Sequence, residues 1–154
     1  MHHSTKLCDF VGTWMLDKAA SDSLQGPSSL MSLGMIMRNA LELLRGMSIS
    51  IEAGVLTVAV FSLVEWFTFT EHYRLDGAES AAKRRDFRKG ANFIRLASAT
   101  ASRLQLQMRW EGAYAGKGVE EVVLVGGDEL HITCSLALHN GKSATYRQVY
   151  RRRH

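Results

Sequence analysis

Apolar and polar residues alternate along most of this chain, most clearly over its last twenty-five residues. Apolar side chains occupy every second position from Leu130 to Leu138, and Asn140-Gly141 then interrupts the run. A second alternating run follows that pair. Two alternating segments around an Asn-Gly pair predict an antiparallel hairpin with a tight turn.

The second strand of this hairpin has an unusual face. Tyr146, Gln148 and Tyr150 share one side of it, and their polar tips lie on the face that is apolar in the preceding strand. An apolar interior that carries a few polar groups is typical of a small-ligand cavity. The pattern therefore favours a barrel with a cavity over a solid sandwich.

A two-residue period recurs upstream and predicts about ten strands joined by short turns. Leu104, Leu106, Met108 and Trp110 alternate with polar residues and give the clearest signal. The predicted strands before the hairpin are 10–16, 47–51, 56–60, 66–75, 83–88, 92–100, 104–110 and 119–125. Strands that follow each other in sequence usually lie side by side in the sheet, and closing the sheet removes its exposed edges. We therefore predict a mainly β protein that forms an up-and-down antiparallel β-barrel.

One segment, from Pro27 to Arg45, has helical spacing and separates the first two strands. Its apolar face holds Leu30, Leu33, Met37, Leu41 and Leu44. Pro27 suits a first turn and Gly46 the position after a last turn, while Gly34 is expected to divide the segment. We predict a helical cap, which either covers a core or acts as a mobile cover over a cavity, with Met35 against the ligand.

The composition describes one domain spanning 1–154, with loose ends at 1–8 and 152–154. Hydrophobic residues make up 46% and charged residues 22% of the chain. No run approaches the ~20 apolar residues of a membrane span, and the first residues lack the apolar core of a secretory signal. Two cysteines give no disulfide framework. We therefore expect a cytoplasmic protein.

The net charge is +4, and the basic residues concentrate at 83–89 and 151–153. We expect these runs to be solvated strand faces and tails. Single-strand nucleic-acid binding is not expected, because no aromatic residues interleave them. The runs favour weak, salt-sensitive contact with anionic membranes.

Catalytic chemistry has little support in the sequence. Cys134 lies in an apolar, inward phase, which disfavours a reactive thiolate. Glu71 shares a phase with Phe69 and Tyr73, but one carboxylate without a partner is weak support for catalysis. His72 is the candidate axial ligand if the barrel binds haem. We predict no catalytic residue, no metal ligand and no cofactor.

Five segments in order resemble the intracellular fatty-acid-binding proteins, within the wider lipocalin-like group. These segments are Phe10–Trp14, Leu30–Met35, Arg103–Gly112, Glu129–Ser135 and Arg147–Arg151. The resemblance implies a ten-stranded barrel with a helix-turn-helix cap and an apolar ligand inside. It also implies that Trp14 closes one end of the barrel.

The resemblance places the ligand head group at the last strand. Many family members hold a carboxylate there with an Arg-x-Tyr pair and an arginine from an earlier strand. Here Gln148 stands in the cationic position before Tyr150, and the earlier position falls near Val122 or Val123. An amide lacks the charge-assisted bonds of a guanidinium. The expected head group is therefore neutral rather than a carboxylate, as in the retinol-binding members, which use glutamine in this role.

The leading hypothesis is a monomeric, non-enzymatic intracellular carrier of a hydrophobic small molecule such as a lipid, fatty acid or retinoid. Its expected ligand contacts are Tyr150, Gln148, Tyr146, Leu106, Met108, Trp110, Phe69 and Met35. Two alternatives remain open at this point. One is a haem-binding or enzymatic lipocalin-like barrel, and the other is a solid-core interaction module that works through its basic patches.

Overall fold

The computed structural model describes residues 7–154, which form ten β-strands and two α-helices. The strands are β1 Gly12–Leu16, β2 Leu44–Glu52, β3 Val55–Ser62, β4 Phe69–Arg74, β5 Ser80–Lys83, β6 Ala91–Ala99, β7 Arg103–Trp110, β8 Gly116–Val125, β9 Glu129–Leu138 and β10 Ser143–Arg152. The helices are α1 Gln25–Leu30 and α2 Met35–Glu42, and a 3₁₀ helix, Cys8–Phe10, precedes β1.

The ten strands form one antiparallel sheet that is nearly closed. Its order is β4-β3-β2-β1-β10-β9-β8-β7-β6-β5, so every pair of chain neighbours except β4 and β5 is hydrogen-bonded, and β10 returns to β1. The predicted up-and-down barrel with a helical cap after its first strand is confirmed. Strands β4 and β5 lie side by side without backbone pairing in the part of the chain that the structure describes.

The side chains of β7 show how the sequence pattern builds the barrel wall. Leu104, Leu106, Met108 and Trp110 are buried, whereas the residues between them face outward. Because side chains alternate across a strand, a period of two fills one face with apolar groups. The same alternation carries inward rows across the neighbouring strands.

Trp14 lies at the end of the barrel opposite the cap. Its side chain is fully buried, and its indole Nε1 donates a hydrogen bond to the Phe10 carbonyl oxygen at 3.0 Å. The Arg152 guanidinium lies 4.2 Å from the ring centroid and also donates to three backbone carbonyl groups. These contacts close the barrel end, as expected for Trp14.

The cap is a pair of short helices rather than one long helix. Gly34 precedes α2 with an extended backbone, so the expected division there is confirmed. The expectation that helix continues to Arg45 is wrong, because α2 ends at Glu42 and the chain enters β2 at Leu44. Pairing with β3, where Leu44 lies opposite Ser62, provides backbone hydrogen bonds for this segment. No helix in residues 7–154 is long and apolar enough to cross a membrane.

Gly46 is a strand residue of β2, not the residue that ends a helix. A Cβ atom added there would overlap the carbonyl oxygen of Trp14 and press on the Phe61 ring. The overlapping atom belongs to the backbone of the neighbouring strand β1, which cannot shift without disturbing the sheet. Sheet packing, rather than a left-handed turn, therefore explains the glycine.

We expect Gly46→Ala to lower the free energy of unfolding by about 1–3 kcal/mol, the usual cost of overpacking. Urea unfolding measures the difference. Gly26→Ala is the control, because no atom lies within 4 Å of the added Cβ and helix α1 favours alanine. Equal effects of the two changes would contradict the packing argument.

The basic run that was expected to form a strand at 83–88 is mostly a loop. Strand β5 ends at Lys83, and residues 84–90 connect it to β6. Arg84 is only 2% exposed, so this run is not a solvated face. The reason is that its guanidinium groups find carboxylates and carbonyl groups inside the protein, which alternation of polarity alone does not reveal.

Both chain ends are ordered further than expected. Arg152 completes β10, and its amide donates to the Asp128 carbonyl oxygen. At the other end, Leu7 is 1% exposed and the 3₁₀ helix begins at Cys8. Residues 1–6, which belong to the expected loose N-terminal segment, lie outside the described residues.

Candidate ligand-binding cavity

An internal cavity of about 200 Å³ lies between the helical cap and the inner faces of the strands. Met31, Met37 and Leu41 of the cap face it, and apolar side chains of the barrel form most of the remaining wall. The barrel is therefore not filled solidly by side chains. The volume is below the ~300–1,000 Å³ of common ligand pockets, so a ligand must be slender or the cap must shift.

Seven of the eight expected contact residues border this cavity. They are Tyr150, Gln148, Tyr146, Leu106, Met108, Trp110 and Phe69. Met35 does not, and its side chain is 77% exposed. Met35 opens α2 two positions before Met37, which corresponds to about 200° around a helix, so the two side chains point in nearly opposite directions.

The polar groups of β10 face inward as expected. The Tyr150 hydroxyl donates to Gln148 Oε1 at 3.3 Å, and burial raises the pKa of Tyr150. Arg147, which directly precedes Gln148, is exposed and donates to His131 Nδ1 at 3.2 Å on the outer surface. The strand register therefore keeps Arg147 out of the cavity.

A charged cluster, formed by Glu71, Arg85 and Glu120, lies at one side of the cavity, with both carboxylates buried and Arg85 28% exposed. Arg85 donates from Nε to Glu71 Oε2 at 2.9 Å and from Nη2 to Glu71 Oε1 at 2.7 Å. The same Nη2 donates to Glu120 Oε1 at 2.7 Å, and Tyr73 donates to Glu71 Oε1 at 2.7 Å. These bonds join β4 to β8 through a side chain that follows β5, inside the gap in the sheet.

The cluster sets the charge states of Glu71, Arg85 and Tyr73. Burial raises the pKa of Glu71, but the charge and hydrogen bonds of Arg85, with the bond from Tyr73, lower it below its usual value. Burial alone would lower the pKa of Arg85, yet the charges of Glu120 and Glu71 raise it well above its usual value. Burial and the Glu71 charge raise the pKa of Tyr73. Glu71 and Arg85 therefore stay charged, and Tyr73 stays a neutral donor.

Sequence reasoning missed this cluster in two places. The inward phase of Glu71 was recognised, but Arg85 was assigned to a solvated strand and Glu120 was not considered. Glu120 shares its inward phase with Val122, so a second inward carboxylate was visible in the alternation. Arg85 reaches the cavity from a loop that no strand pattern predicts, at a position other than the two that the resemblance names for a cation.

A second set of polar contacts, formed by Arg84, Asp86 and Arg88, closes the cap end. Arg84 and Asp86 form a buried ion pair at 2.8 Å, and Arg84 also donates to two carbonyl groups of the loop between β7 and β8. Arg88 donates to the carbonyl oxygens of Met31 at 2.7 Å and Ser32 at 3.0 Å. These bonds attach the turn between α1 and α2 to the barrel.

The histidine expected as axial ligand in the haem-binding alternative does not face the cavity. His72 is exposed on the outer face of β4, where its Nδ1 lies 3.0 Å from Thr57 Oγ1. Within residues 7–154, no group of three histidine, cysteine or acidic residues is arranged to hold a metal ion. Burial raises the pKa of Cys134 to about 12, which keeps this thiol protonated.

Several solved structures match this architecture over nearly the whole chain. A Schistosoma mansoni fatty acid binding protein in complex with arachidonic acid matches with a TM-score of 0.74 at 15% identity, over 97% of this chain and 99% of that one. Apo lipid binding protein 8 of Caenorhabditis elegans matches with a TM-score of 0.70 at 13% identity, over 94% and 96%. Human cRBP IV matches with a TM-score of 0.62 at 18% identity, over 93% and 97%.

The sequence itself differs widely from those of these proteins. No protein-family model matches it, and no curated protein matches it by sequence. The similarity is in the fold and extends from end to end of the chains, with at least 93% of this chain and 96% of each matched chain covered. The chain has the fold of the fatty-acid-binding proteins.

Proposed function

We propose that this protein is a non-enzymatic carrier that encloses one hydrophobic small molecule in its barrel, as a divergent member of the intracellular fatty-acid-binding proteins. The observation that supports this most directly is an apolar cavity beneath a helical cap, with a few polar groups on its wall. Removing apolar ligand surface from water would drive binding, at roughly 25 cal/mol per Å² before entropy costs.

Matched proteins support the choice of ligand class. One is a fatty acid binding protein that holds arachidonic acid, and another is a cellular retinol-binding type. The wall of this cavity pairs Tyr150 with Gln148 and keeps both of its cations in ion pairs, Arg84 with Asp86 and Arg85 with Glu71 and Glu120. We infer a head group that is not a carboxylate, since no unpaired cation faces the cavity among the described residues.

The proposal includes the setting in which the carrier works. We propose a cytoplasmic monomer that makes weak, salt-sensitive contact with anionic membranes and has no nucleic-acid partner. The buried ion pairs of Arg84 and Arg85 reduce the basic surface that the sequence suggests, which favours weak membrane attraction.

Binding can be tested with Nile red, an uncharged apolar dye. We expect its fluorescence to rise on binding and to be lost again when a long-chain alcohol displaces it. Leu106→Trp adds bulk to the cavity wall and should weaken dye binding roughly tenfold, or 1.4 kcal/mol. Fluorescence titration gives both dissociation constants.

Leu63→Trp is the matched control, because Leu63 is 62% exposed and lies outside the cavity wall. Thermal unfolding checks that both variants are folded. A folded wild-type protein that binds neither the dye nor a long-chain alcohol would remove the carrier proposal.

A further inference from the structure

The charged cluster of Glu71, Arg85 and Glu120 holds two carboxylates and one guanidinium. Arg84, Arg85, Asp86 and Glu120 line the cavity, and Glu71 lies next to the wall, bonded to Arg85. At the cap end, Asp86 forms a buried ion pair with Arg84 and a longer one, at 3.4 Å, with Arg88, so it leaves no unpaired negative charge there. In the charged cluster, one guanidinium faces two carboxylates, so one negative charge has no cation of its own.

Glu120 is the carboxylate with unused capacity. Glu71 accepts two bonds from Arg85 and one from Tyr73, whereas Glu120 accepts one bond, from a guanidinium nitrogen that also serves Glu71. No other hydrogen bond reaches Glu120 within residues 7–154. A carboxylate offers about four acceptor positions, so Glu120 can take further donors from a ligand.

A second open acceptor lies on the same cavity wall. Asn92 is 2% exposed, and its side-chain oxygen has no hydrogen-bond partner among the described residues. It borders the cavity towards the cap, away from Glu120 along the strands. Buried polar atoms are rarely left without a partner, so this oxygen indicates that a donor from a ligand or a water occupies the cavity.

The neutral polar groups of the cavity wall do not discriminate between uncharged and amine ligand head groups. The Gln148 amide and the tyrosine hydroxyls both donate and accept, so they would bind an alcohol, an amide or an amine. The Glu120 carboxylate, which has no cation of its own, does discriminate between head groups by their charge. A cation would neutralise it through charge-assisted bonds, whereas a ligand carboxylate would place another negative charge in a weakly solvated space.

We propose that the cavity selects an amphiphile with a long apolar chain and a primary amine head group, bound as the ammonium ion against Glu120. This rests on the proposed carrier function and specifies its ligand class. The ammonium group has three donors, and Glu120 provides the charge that it needs. The apolar chain would extend along the cavity towards the cap.

Hexadecylamine, hexadecanol and palmitate test the proposal, because they share one chain length and differ only in the head group. Each displaces Nile red at neutral pH and low salt, below its critical micelle concentration. We expect hexadecylamine to act at roughly tenfold lower concentration than hexadecanol, and palmitate to be the weakest. Palmitate that binds as tightly as hexadecylamine would overturn the proposal and leave the carrier function standing.

Glu120→Gln keeps the shape and an acceptor but removes the charge. We expect it to reduce the preference for hexadecylamine over hexadecanol about tenfold, without weakening hexadecanol. The control is Glu121→Gln, because Glu121 faces outward on the same strand and accepts from Gln105. An unchanged preference in Glu120→Gln would also overturn the assignment.

Gln148→Arg gives an independent reading of the same electrostatics. It adds a second cation beside the cluster, so the amine preference should vanish and palmitate binding should strengthen. Thermal unfolding shows whether each variant is folded. If none of the three ligands displaces the dye from wild type, the carrier function fails together with this proposal.

Discussion

Replacing Arg85 with methionine is expected to lower the free energy of unfolding by about 3–5 kcal/mol at neutral pH. The change leaves Glu71 and Glu120 buried and close together without a cation. A broken buried pair costs more than a lost surface pair because the remaining charge has neither water nor a partner. Urea unfolding of wild type and variant measures the loss.

The pH dependence of stability should reverse in the variant. In wild type the pKa of Glu71 is lowered, so its contribution is present above its usual pKa and is lost as the pH falls through the folded value. Without Arg85, burial and the nearby Glu120 carboxylate raise the pKa of Glu71 in the folded state. The variant should therefore lose stability as the pH rises above about 4.3, the ordinary glutamate value.

Two controls separate this mechanism from general damage. Arg74→Met removes a guanidinium from an exposed pair with Asp76 and should change stability little. The triple change Glu71→Gln, Arg85→Met and Glu120→Gln removes all three charges and should recover most of the lost stability. A triple variant as unstable as Arg85→Met would show that packing, not charge, is responsible.

Trp14→Ala is expected to cost about 3–5 kcal/mol, the usual range for removing a large core aromatic. Trp14 is 0% exposed, and the change removes its hydrogen bond to Phe10 and the ring beneath Arg152. The barrel end would be left with a cavity that backbone strands cannot collapse to fill. Thermal and urea unfolding measure the effect.

Trp66→Ala is the matched control, because Trp66 is 51% exposed at the cap end. Trp14→Phe should fall between wild type and Trp14→Ala, since it keeps an aromatic ring but loses the indole donor. A cost below about 1 kcal/mol for Trp14→Ala would contradict a closing role for this residue.

Alternation made the barrel wall predictable from sequence. Leu104 to Trp110 and the last hairpin keep a strict period of two, and a one-residue slip would turn every side chain of a strand to the other face. For the same reason, the inward placement of Gln148 and Tyr150 could be predicted without coordinates. These positions depend on local pattern alone.

The charged cluster could not be predicted in this way. Arg85 finds Glu71 fourteen residues earlier and Glu120 thirty-five residues later, so its burial depends on partners that only the closed sheet brings together. Runs of charged residues are usually solvated, and in the sequence Arg85 is part of such a run. The outward position of Met35 was also hidden, because it depends on where helix α2 begins.

The sharing of one guanidinium between Glu71 and Glu120 also constrains how this lineage can change. Loss of either acid alone or of Arg85 alone alters the charge balance inside the barrel. Single substitutions at these positions therefore differ in how much stability they cost. The orders of substitution that cost the least stability change all three residues together, or replace Glu120 first, because Arg85 and Glu71 then remain paired. Sequences related to this one should therefore show linked residue choices at these three positions, although they lie far apart along the chain.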